Sequence, residues 1–264
     1  MPVPLFHVDA FTDKPFSGNP AAVCPLKAWL DDELLRAVAA ENNLSETAYF
    51  VREGEAYHLR WFTHRCEVNL CGHATLASAF VLLTILEPQQ QSVRFLTRSG
   101  LLTVGRQDDL LAMDFPALPP WVCPSPPADL IDGLGARADQ IRVLQIKDNY
   151  FAVYESEDEI RSVRPDFSRL ERLHPAGVAV TAPGKNADFV SRYFAPSYGI
   201  PEDPVTGSTH CSLTPYWAER LGKSILHAHQ VSQRAGELWC EFTGDRVLIK
   251  GKAVLTLRGS LLIG

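Results

Sequence analysis

A chain of 264 residues makes one large domain or two of ordinary size, and the even split is the better expectation. With 46% hydrophobic and 21% charged residues, 17 Gly and 19 Pro, it is a folding composition and not a disordered or low-complexity one. Its net charge of −6 argues against nucleic acid or an anionic membrane as partner, and no run reaches the ~18 apolar residues of a membrane span.

Residues 5–11 alternate as a strand does, and a turn cluster at 12–20 leads into the short apolar run 21–24. Residues 31–43 (DDELLRAVAAENN) read as an amphipathic helix, with acids in the first turn and Leu34, Leu35, Val38 and Ala39 on one face. Strand patterns follow at 47–51 and 57–62. Residues 73–86 (HATLASAFVLLTIL) are apolar nearly all round, and a helix with no polar face belongs inside the protein. Residues 92–115 read as strands joined by turns at Ser99-Gly100 and Asp108-Asp109.

A loop dense in proline follows, with Pro116, Pro119, Pro120, Pro124, Pro126 and Pro127, and it predicts the boundary between a first lobe, 1–118, and a second, 119–264. The last strand is a candidate to return to the first lobe. Beyond the loop the order recurs: a strand at 145–154, a helix around 159–173, a strand at 177–181, a Gly-led helix from Gly207 to Leu221, and a hairpin region at 231–262. Gly72 and Gly207, which open the two buried helices, are 135 residues apart, and the turns Arg98-Ser99-Gly100 and Arg234-Ala235-Gly236 are 136 apart. Two offsets of half the chain point to a duplicated fold, whose natural ligand site is the cleft between the lobes.

Cys71-Gly72-His73 and Thr206-Gly207-Ser208 stand at the two helix mouths. A glycine there lets a ligand approach the backbone, and the free N–H groups of a helix N-terminus attract an anion; the plainer role is a tight strand-to-helix turn. Pro204 holds Asp203 extended beside the second mouth, either as a cap or as a group aimed into the cleft. Glu46 sits between a helix end and an apolar strand. Such an acid is commonly solvated; covered by the cleft, it becomes a general acid/base usable near neutral pH. His64, Cys66, Cys71 and His73 form H-x-C-x4-C-x-H, but the strand between them alternates faces and no tight C-x2-C pair is present, so a zinc site is not expected. Cys71 is a candidate nucleophile, because a helix N-terminus lowers a thiol pKa, yet Thr206 stands where a second thiol would. His210 falls in the second buried helix and reads as a core histidine. Neither nucleotide-binding glycine fingerprint occurs. Six scattered Cys without a disulfide framework, and a start with no basic flank before an apolar run, fit a reducing cytoplasm.

Several ordered motifs resemble the PhzF family of phenazine-biosynthesis isomerases and their epimerase-like relatives: Phe16-Ser17-Gly18-Asn19-Pro20-Ala21-Ala22-Val23, Leu44-Ser45-Glu46-Thr47-Ala48, Leu70-Cys71-Gly72-His73-Ala74-Thr75, Arg192-Tyr193-Phe194-Ala195-Pro196, and Glu202-Asp203-Pro204-Val205-Thr206-Gly207-Ser208 running on to Trp217. The resemblance spans nearly the whole chain. It implies an α+β, diaminopimelate-epimerase-like fold of two pseudo-symmetric lobes, each a curved, barrel-like, mostly antiparallel sheet around a central helix. It also implies isomerisation of a small carboxylic acid without cofactor or metal, in a homodimer. Glu46 would carry the proton, His73 and Asp203 would assist, and Asn19, Gly72, Gly207 and Ser208 would bind substrate. Two alternatives stand beside it: an amino- or hydroxy-acid racemase using Cys71 with Asp203, and a binding homologue that performs no chemistry.

Overall fold

A computed structural model describes residues 2–263, and the chain divides ahead of the proline-rich stretch. One unit runs to Asp114 and takes in the chain from Lys250 onward; the other is Phe115–Ile249.

In the first unit β1 (Pro2–Ala10) pairs antiparallel with β2 (Asn19–Leu26) and, on its other edge, with β18 (Ala253–Leu262). Gly18, at φ +65, turns the chain into β2; any Cβ there would run into the Ala10 carbonyl, so only glycine fits. Helix α1 (Asp32–Asn42) crosses from β2 to the parallel strand β3 (Glu46–Glu53). Asp31 caps it by accepting from the Glu33 N–H, Asn43 closes it in the left-handed region, and Leu35, Val38 and Ala39 form its buried stripe. β4 (Ala56–Phe62) folds back on β3 and β5 (Glu67–Val68) on β4. The apolar run then forms α2 (Gly72–Val81), continued by a π turn over Leu82–Leu86 whose Glu87 N–H reaches the Leu82 carbonyl. α2 packs against β1, β2, β3 and β18. Its few hydroxyls do not need water: Thr75 donates to the Cys71 carbonyl and Ser78 to that of Ala74, four residues back. β6 (Ser92–Thr97) runs parallel to β4, followed by β7 (Gly100–Gln107) and β8 (Leu110–Pro116).

The second unit repeats this plan. Its prolines carry a short strand, β9 (Trp121–Val122), and a short helix, α3 (Ala128–Gly133), within what the composition marks as loop. The strand expected at 145–154 is instead a hairpin, β10 (Arg142–Ile146) and β11 (Asn149–Val153), because Lys147-Asp148 turns the chain. The helix expected at 159–173 is two, α4 (Glu157–Ser162) and α5 (Phe167–Glu171). Pro165 has no N–H to continue a helix and disfavours helical backbone at Arg164, while Asp166 caps the new start. β12 (Gly177–Pro183), β13 (Phe189–Ala195) and β14 (Ile200–Asp203) lead to α6 (Gly207–Leu221), then β15 (Ile225–Gln230), β16 (Gly236–Phe242) and β17 (Arg246–Gly251). The pairings from β10 to β16 run antiparallel, parallel, antiparallel, antiparallel, parallel, antiparallel, the same series as from β1 to β7. In each series the buried helix follows the fifth strand. The half-chain offset is therefore a repeat of topology.

α6 contains Pro215, which cannot donate to the Cys211 carbonyl one turn back. The Leu118 N–H takes that acceptor instead, at 2.9 Å, so the segment entering the unit repairs the helix.

Candidate active site

At the first helix mouth, β2, β3 and the start of α2 bring Asn19, Glu46, Cys71 and His73 together. Glu46 opens β3 in register with Ala21 of β2. Its side chain is only 12% exposed, and Oε2 lies 3.3 Å from Nε2 of His73, itself 7% exposed. Asn19 Nδ2 lies 3.2 Å from His73 Nδ1. An amide NH2 can only donate, so Nδ1 holds the lone pair and the ring hydrogen sits on Nε2, the nitrogen 3.3 Å from the Glu46 carboxyl group. Burial pushes the His73 imidazole down to about 3, so it is a neutral N–H donor at neutral pH. The Cys71 sulfur packs 3.5 Å from Nδ1. The N-cap residue Cys71 makes no side-chain cap bond, so the first amides of α2 are not satisfied by it. Asp9, buried in β1, accepts the Phe16 N–H at 2.7 Å and so holds the loop before Asn19; Phe16 itself stands 77% exposed.

The expected separation of the H-x-C-x4-C-x-H run is seen directly. Cys66 is exposed in the turn after β4, its neighbour Thr63 reaching its carbonyl, and His64 contacts Arg65. Cys71 and His73 are buried with Glu46 instead. The donor atoms of those three lie within 4.8 Å of one another, one of two such groups among the described residues.

The second mouth is built differently. Glu202 is committed to a two-pronged pair with Arg192, at 2.8 and 2.9 Å. Asp203, next to it, accepts from the Thr206 hydroxyl, so the N-cap Thr206 turns its side chain to Asp203 and makes no side-chain cap bond to α6. Buried Gln230 holds the loop: its Oε1 accepts the Thr206 N–H and its Nε2 donates to the Asp203 carbonyl, both at 2.8 Å. His210 donates from Nδ1 to the Thr206 carbonyl at 2.9 Å, and burial pushes its pKa down to about 4. It is a core histidine only half satisfied, since its buried Nε2 has no hydrogen-bond partner. Gly207 is buried and Ser208 exposed. Gln230 has no signal in the sequence; it stands 24 residues from Thr206 and is delivered by the parallel pairing of β13 with β15.

Comparison with known proteins defines the class. A Pseudomonas aeruginosa protein named an uncharacterized isomerase is 54% identical over 262 residues, covering 99% of each chain. A solved PhzF-family structure from Enterococcus faecalis superposes with a TM-score of 0.94 at 43% identity, covering 100% of both chains. A hydroxyproline epimerase from Agrobacterium vitis, at 12% identity and a TM-score of 0.62 over 98% of this chain and 92% of its own, shares the fold. The fold is α+β, and the chain is an isomerase. Residues 8–259 match the family model of the phenazine biosynthesis-like proteins, PhzC-PhzF, and the chain belongs to that family.

Proposed function

We propose that the chain moves a proton on a small carboxylic acid, with Glu46 as the general acid/base. The observation that carries this reading is the shielded Glu46 carboxyl group 3.3 Å from Nε2 of a neutral imidazole, beside a helix mouth without a side-chain cap. A neutral His73 beside it does not compete for the proton, which leaves the carboxyl group as the one that cycles. The Gly72 amide at the α2 mouth binds the substrate's acidic group and stabilises the charge that develops when the proton leaves. Asn19 keeps the His73 tautomer. Return of the proton to a neighbouring carbon migrates a double bond; inversion at the same carbon takes a different proton, delivered to the opposite face by a second acid. Metal-free and cofactor-free chemistry, a cytoplasmic location and a homodimer belong to the same reading.

Cys71 as a racemising thiol has one observation in its favour, the 3.5 Å contact with His73. An imidazole with a pKa of about 3 is a weak base for a thiol proton, which favours Glu46. The test is solvent deuterium incorporation across a panel of small unsaturated, hydroxy and amino acids. Glu46→Gln is expected to lower the exchange rate about 10²–10⁴-fold while Cys71→Ser retains it; the reverse order overturns the assignment.

A further inference from the structure

Away from that site, the outer face of the β15–β16 hairpin gathers three side chains of metal-ligand type. β15 alternates: Leu226, Ala228 and Gln230 are buried, while His227 and His229 share the opposite face. The antiparallel register sets His227 across from Trp239 and His229 across from Glu237. Two residues at i and i+2 and the cross-strand neighbour of one of them make a triangle on a pleated sheet. Here the two imidazole centroids are 4.6 Å apart, and His229 Nε2 lies 3.3 Å from Glu237 Oε1. All three donor atoms lie within 4.8 Å of one another.

The 3.3 Å His229–Glu237 contact accounts for only part of this. The Nε2 of His227 is shielded from water and has no hydrogen-bond partner, although it belongs to a ring only half-buried. Asp188 holds the His227 backbone by accepting its N–H at 2.8 Å.

We propose that His227, His229 and Glu237 form a binding site for a divalent transition-metal ion of the zinc class. Two imidazoles and a carboxylate suit such an ion better than magnesium or calcium, and three protein ligands leave a position for water. Ligand bonds of about 2.0–2.2 Å put tetrahedral donors roughly 3.3–3.5 Å apart, so the His229–Glu237 edge already has the right spacing and the His227 ring has only to close in. The ion would tie β15 to β16 on one face. The next residue, Gln230, holds Asp203 and Thr206 from the other face, so the ion acts as a brace for the second helix mouth. None of this depends on which carboxylic acid the isomerase converts.

The stacking of Trp239 on His227, with centroids 5.2 Å apart at 16°, supplies a reporter. The full chain, stripped with chelator, is titrated with Zn2+ alone by calorimetry and with paramagnetic Co2+ by tryptophan fluorescence. Expected are one equivalent bound at the hairpin and Co2+ quenching that disappears in Trp239→Phe. His229→Ala and the shape-preserving Glu237→Gln should each weaken Zn2+ by at least the roughly 10–100-fold that loss of an outer-shell partner costs. Cys71→Ser separates this site from the Glu46 group and should leave both signals intact. Absence of binding, unchanged affinity in His229→Ala, or loss of binding in Cys71→Ser each overturns the proposal.

Discussion

Both helix mouths start on a glycine without a side-chain cap, and both bury a neutral imidazole, yet they spend their polar groups differently. In the first, Glu46 at the head of β3 meets His73. In the second, the head of the corresponding strand β12 is Gly177, and a Cβ there would overlap the Tyr193 hydroxyl, which donates to Asn149 at 2.6 Å. Tyrosine fills the room that a strand-head side chain would need. Burial, with Asp203 nearby, raises the Tyr193 pKa, so the phenol stays protonated. One mouth therefore sets its carboxyl group beside an imidazole, and the other holds its acid in a web of Thr206 and Gln230. The repeat conserved the pairing of strands and let the chemistry diverge.

The shared feature is the easier to break. Both imidazoles are neutral when folded and protonate near 6.5 when unfolded, so the unfolded chain binds more protons as the pH falls below about 6.5. Stability should drop through that window, down to about 4 for His210 and about 3 for His73, by up to about 1.4 kcal/mol per pH unit for each ring. Urea unfolding at pH 7 and pH 4.5 measures this, and His73→Gln or His210→Gln should each flatten the slope. An unchanged slope in both variants would mean that neither ring is held neutral.

The difference between the mouths can be sharpened at Gly177. Gly177→Ala should cost about 1–3 kcal/mol by overpacking against Tyr193, read as a lower denaturation midpoint, and a neutral result would show that the ring is not the filler. The smallest effect lies deeper along α6. Trp217 there donates its indole N–H to Thr181 at 2.9 Å, whereas the position 135 residues earlier is the purely apolar Leu82. Trp217→Phe should cost about 1 kcal/mol for the hydrogen bond beyond the change in packing. Thr181→Val in that background should then add little.

Much of this was legible along the chain, and the reasons are local. α1 declares its cap and stripe, and the unbroken apolar character of α2 announces a wrapped helix. α6 begins and ends at the residues its glycine and length predict. The misreadings also have local causes: Pro165 splits a helix, and Lys147-Asp148 splits a strand, each within a pattern that hydrophobicity alone leaves continuous. Encounters between distant residues were not legible. Asn19 meets His73 across 54 positions, and Gln230 reaches Thr206 across 24, because parallel pairings fold the chain over helices between them. The neighbours His227 and His229 acquire Glu237 only when the hairpin register is set.

β18 lies against β1 from Ala253↔Ala10 to Leu262↔Pro2, so the strand that closes the first unit comes from the far end of the described chain. During synthesis the second unit, continuous in the chain, is fully made while the first still waits for its closing strand. Until residues 253–262 have emerged, the outer edge of β1 offers bare amides and carbonyls to any other strand. The half that is born first is finished last, and that interval is when a nascent chain is most exposed to pairing with its neighbours.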